Sequence, residues 1–123
     1  MTTDERVQLA QLIAKELKQK WELEVRNEAK QKRKDVKPKD LEFPKNEWEK
    51  WVNYIGRMRF SRSLQLLEYM RRSPSLREDP KRAARIAHEV IHRIQEKLQV
   101  LDDQGISEVL GYVGRWLVYF NTL

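Results

Sequence analysis

His88, Glu89 and His92 fit the pattern H-E-x-x-H, in which two imidazoles one helical turn apart hold zinc and the glutamate acts as general base. Catalytic zinc needs a third protein ligand and an open position, yet these are the only two histidines in the chain. Leu98 stands where the metzincin extension places its third histidine. Glu108 is the only conveniently placed downstream acid, and no segment suits the substrate-aligning strand of a zincin. The plainer reading puts both histidines beside a core stripe, with Glu89 paired to Arg85 and Arg93 at helical spacing. No catalytic residue, metal site or cofactor is therefore expected.

A second constellation is made of arginines. Residues 54–101 carry nine arginines and two lysines against five acids, and segments 1–53, 54–101 and 102–123 sum to +2, +6 and −2. Guanidinium suits phosphate, because its fork donates two parallel hydrogen bonds and stays charged at any relevant pH. Arg57, Arg59, Arg62, Arg71 and Arg72 on a second helical region would meet Lys81, Arg82, Arg85 and Arg93 on a third helix if the two pack antiparallel. An excess of six charges in one segment is too large to pair within that segment, so the expected partner is a polyanion, nucleic acid in particular. Arg115 joins the candidates, lying with Tyr112 and Tyr119 on one side of the last helix. Those tyrosines, with Trp48 and Trp51, could stack bases or form a subunit contact, while ordinary packing suits Trp51 best. No helix-turn-helix spacing, zinc finger or RNP-type aromatic pair is present, so sequence-specific reading is not expected.

The elements that must position these groups all read as helices. Thr2 and Glu5 have capping-box spacing, and Leu9, Ile13, Leu17, Trp21, Val25 and Ala29 recur every four residues behind them. This predicts a long N-terminal helix that frays near Asp35 into a basic, mobile loop over 36–45. Asn46 can cap a second helix, with a kink or break near Gly56. Asp79-Pro80 reads as a cap followed by proline at the first helical position of a third helix, striped by Ala83, Ala87, Val90, Ile91, Ile94, Leu98 and Leu101. The turn Asp102–Gly105 leads to a last helix with Val109, Val113 and Trp116 inward, and its tightness predicts antiparallel packing of these two helices. Gly111 and Gly114 would permit close approach of a neighbouring helix. No strand-like alternation occurs, so the fold expected is an all-α, single-domain bundle of four to five helices spanning 1–123.

Composition agrees. The chain has 123 residues, enough for one modest core, and 40% apolar residues is too much for a disordered chain despite 36% charged. With no cysteine there is neither a disulfide framework nor a thiolate zinc site, and an intracellular, cytoplasmic location is the economical expectation. No apolar run approaches the length of a membrane span, and Met1-Thr-Thr-Asp-Glu lacks the features of a signal peptide.

A short, cysteine-free helical chain with an arginine-laced middle and the aromatic last helix Gly111-Tyr-Val-Gly-Arg-Trp-Leu-Val-Tyr-Phe120 resembles the small subunits of CRISPR interference complexes. The resemblance spans mainly Trp48 to Phe120, whereas residues 4–45 depart from the most compact members. It implies a non-enzymatic bundle that lines a guide-RNA complex in several copies. Its partners would be the guide RNA, the target or displaced DNA strand, other effector subunits and further copies of itself, with no membrane. Two rivals from other classes are a helical adaptor with an acidic protein partner and a small zinc hydrolase built on His88, Glu89 and His92.

Overall fold

A computed structural model describes residues 1–123 as five α-helices and one short 3-10 turn, with no strand. The helices are α1 (Thr3–Lys32), α2 (Lys45–Arg57), α3 (Phe60–Arg72), α4 (Glu78–Leu98) and α5 (Asp103–Asn121), and the 3-10 turn is Pro38–Leu41. No helix is long and apolar enough to cross a membrane.

The capping box forms as its spacing predicts, Thr2 Oγ1 accepting from the Glu5 amide and Glu5 Oε1 from the Thr2 amide, both at 3.2 Å. These bonds to Thr2 hold the Glu5 carboxyl below its usual range. The helix stops at Lys32 rather than fraying, because Arg33 turns left-handed at φ 51° and the Lys34 amide closes back on the Ala29 carbonyl at 2.9 Å.

Beyond it the chain is docked, which corrects the expectation of a mobile loop over 36–45. Lys18 Nζ donates to the Leu41 carbonyl, and the Trp21 indole N–H to the Asp40 carbonyl at 3.0 Å. Phe43 is buried, and its amide and carbonyl both bond the Asn121 side chain, at 3.1 and 3.0 Å. The signal overlooked was Phe43 itself, one large apolar residue among charges. Its ring continues an edge-to-face series Trp21–Phe43–Trp48–Trp51, with successive centroids 5.6, 6.5 and 5.1 Å apart.

The break expected near Gly56 falls at Met58 and Arg59, both extended, between α2 and α3. Two helix starts differ from the reading of their caps. Pro44, not Asn46, holds the N-cap position of α2, and Arg77, not Asp79, that of α4. Pro80 then sits in the first turn, where its missing N–H has no intrahelical acceptor to lose. The segment read as a turn, Asp102–Gly105, is the cap and first turn of α5, where Asp102 Oδ1 accepts from the Gly105 amide at 2.7 Å. A Cβ on Gly105 would come within 3.2 Å of both that oxygen and Leu101 Cβ, so this turn favours glycine.

Arg6 meets Glu108 near one end of α1 and α5, while Phe43 links Trp21 to Asn121 near the other, so α1 and α5 run parallel. By contrast α1 is antiparallel to α4, its Glu16 meeting Arg93 and its Glu28 meeting Arg82. The short connection after Arg72 returns the chain so that α3 and α4 form an antiparallel hairpin. The expected close pairing of α4 with α5 is not among the main helix contacts. Both α1 and α2 pack on each of these helices, so stripes adjacent in sequence join one core through shared neighbours. Ala87, Val90, Ile91, Leu98, Val109 and Val113 are buried as expected, while Ile94 and Trp116 are half-buried at its margin.

Candidate nucleic-acid interface

Glu16, Lys20, Glu24 and Glu28 fall every fourth residue along α1, and Arg93, Glu89, Arg85 and Arg82 descend α4 in the opposite sense. A four-rung ladder of ion pairs results: Glu16–Arg93, Lys20–Glu89 (3.7 Å), Glu24–Arg85 and Glu28–Arg82. Arg82 is the most enclosed of its arginines, its side chain 12% exposed and its guanidinium 5.5 Å from the Trp21 ring centroid. Hydrogen bonds from Lys32 and then Arg82 lower the Glu28 pKa, and the hydrogen bonds to Glu24 raise that of Arg85 against its partial burial.

Three of the ten candidate contacts, Arg82, Arg85 and Arg93, are therefore engaged with α1. Counting charge segment by segment missed this, because the compensating carboxylates lie more than fifty positions upstream, 54 for Arg82 and 61 for Arg85, and only folding brings them across. Arg71 and Arg72 are also paired, to Glu68 at 3.1 and 2.6 Å. Five of the nine middle-segment bases are thus held in ion pairs.

Glu68 also lies 3.2 Å from His88 Nε2, and the His88 ring stacks on His92 with centroids 5.8 Å apart and planes 7° off parallel. Burial pushes the His88 pKa down, the pull of Glu68 opposing it and Arg71 and His92 adding to the fall. Glu89 turns the other way, towards Lys20 and towards Arg85 at 3.8 Å, while Arg93, its other expected partner, reaches Glu16 instead. Glu108 is held on α5 by Arg6 at 2.6 Å and by the Tyr112 hydroxyl at 2.9 Å, and this bond raises the Tyr112 pKa. No three His, Asp or Glu side chains are arranged to hold a metal ion.

Trp48 and Trp51 belong to the core, which removes Trp48 from the stacking candidates. Their indole N–H groups donate to the carbonyls of Leu110 at 2.9 Å and Ser63 at 2.8 Å. Arg115 is exposed and lies 5.7 Å from the Tyr112 ring centroid.

What remains free is concentrated where the chain bends. Arg57 ends α2, Arg59 precedes α3 and Arg62 lies in its first turn; all three are exposed and none meets a carboxylate. Lys81 is likewise without an acidic partner. Sequence reasoning left unranked the bases that close α1 and follow it, Lys30, Arg33, Lys34, Lys37 and Lys39, which are exposed and unpaired. No family model, curated protein or solved structure matches the chain.

Proposed function

We propose that this protein is a non-catalytic, nucleic-acid-binding helical subunit that grips the phosphate backbone without reading sequence. The observation that carries the reading is the trio Arg57, Arg59 and Arg62, three exposed guanidiniums within six residues that no carboxylate neutralises. Clustered unpaired bases gain free energy by releasing counterions condensed on a polyanion. Its setting is an RNA-guided effector of the CRISPR interference type, where pairing to the guide supplies specificity and the protein needs only shape and charge. Several copies lining one strand would add by avidity to what one copy contributes.

The test is binding of random-sequence single- and double-stranded oligonucleotides across a salt series, with the wild type and with Arg57, Arg59 and Arg62 each changed to Gln. Each change should flatten the slope of log K against log salt by about 0.7 to 0.9 units. Absence of any binding at low salt, both alone and co-expressed with guide RNA and backbone subunits, overturns the reading.

The adaptor reading keeps one observation in its favour. Val118, Tyr119 and Leu123 are exposed apolar side chains near the end of α5, a place where another protein could dock. Tight, salt-insensitive capture of a protein by this end, in the absence of oligonucleotide binding, would put it first.

A further inference from the structure

Helix α3 buries Phe60, Ser63 and Leu67 on one side and carries an aromatic with no structural task on the other. Tyr69 is 70% exposed, more than any other aromatic of the chain, and neither its ring nor its hydroxyl has a partner. At about 100° per residue, Arg62, Gln65, Tyr69 and Arg72 fall within an arc of roughly 80°. All four are exposed, and they form a stripe about 15 Å long that starts beside Arg59. Packing does not explain this placement, since α3 meets α4 and α2 through its other faces. Arg72 shares Glu68 with Arg71, but its side chain is 71% exposed, and so open a pair holds its charge loosely enough for a phosphate to compete.

Bases alternating with an aromatic on one open face suit a single strand, in which an unpaired base can lie flat on a ring while flanking phosphates meet cations. A duplex offers its phosphates but no free base face. We infer that the outer stripe of α3 is a single-strand track, with Tyr69 as the platform for one base and Arg59, Arg62 and Arg72 on the flanking phosphates. This deepens the nucleic-acid reading and rests on it.

The experiment compares a 12-nucleotide single strand of random sequence with a hairpin duplex, using fluorescence anisotropy at fixed salt, for wild type, Tyr69→Ala and Tyr69→Phe. Tyr69→Ala should weaken single-strand binding about 5- to 100-fold and leave duplex binding unchanged, whereas Tyr69→Phe keeps the ring and should bind like wild type. Its circular dichroism spectrum should match the parent, because so exposed a ring supports no packing. Unchanged single-strand affinity in Tyr69→Ala, with charge-dependent binding intact, overturns the stacking inference while the phosphate reading stands. Equal losses for strand and duplex overturn it also, since a stacked base is then not what was lost. Wild-type protein that binds neither oligonucleotide but binds a poly-glutamate peptide overturns both and favours an acidic protein partner.

Discussion

Arg85 holds Glu24 with both arms of its guanidinium, Nη1 donating to Oε2 at 3.0 Å, and lies 3.8 Å from Glu89 one turn along its own helix. An arginine so occupied has little left to offer a phosphate. It clasps α1 to α4 at a place where α1 is passing out of the core, for beyond Trp21 that helix has no fully buried residue.

Arg85→Ala should therefore leave the salt slope of nucleic-acid binding unchanged, in contrast to Arg57, Arg59 and Arg62. With its side chain 38% exposed, the Arg85–Glu24 pair should show a coupling of only about 0.2 to 1 kcal/mol in a urea double-mutant cycle with Glu24→Gln. A slope flattened by nearly a unit would return Arg85 to the contact surface.

Replacement of Ile91 by Ala should be far costlier. Its side chain is fully buried, and the cavity left behind should cost about 2 to 5 kcal/mol, a large part of a small domain's stability. Thermal unfolding at the parent's temperature would show that Ile91 is not held in the core.

Gly111 offers the opposite change. It lies inside α5, exposed, and a Cβ there would meet nothing within 4 Å. Gly111→Ala should raise stability by about 0.5 to 1 kcal/mol through helix propensity alone, read as a shift in the urea midpoint. A fall in stability would show that position 111 requires glycine despite the open space around it.

Stability should also fall on mild acidification. The folded-state pKa of His88 is depressed below its ordinary 6.5, so between those two values the unfolded chain binds more protons than the folded one. The contribution of neutral His88 is thus complete above about pH 6.5 and lost as pH falls through the window beneath it. Unfolding midpoints from pH 7.5 to 5 should drop more steeply for the parent than for His88→Gln; parallel profiles would refute the assignment.

The helices were legible because apolar periodicity and end residues are local. Thr2 with Glu5 forms the capping box its spacing suggests, the turn at Asp102 leads into the last helix, and the chain breaks two residues after Gly56. The partnership of helices was not legible, because a stripe states that a face is buried and not against what. Val109 and Val113 share the core with Ile91 but reach it from α5, whose main packing partners are α1 and α2. Ion pairing was misread for the same reason: the carboxylates serving Arg82, Arg85 and Arg93 sit on a helix that only the fold sets beside them. Tyr69 was overlooked because a lone tyrosine on an amphipathic helix reads as boundary packing until its exposure is known.

The parallel setting of α1 and α5 has a consequence for how this unit can be strung together. Thr3 and Asn121 leave the bundle at opposite ends, separated by roughly the 28 Å length of α5. Joining one protein's tail to its own head would take a bridge of at least about eight extended residues. A tandem fusion, tail of one copy to head of the next, needs only a short tether.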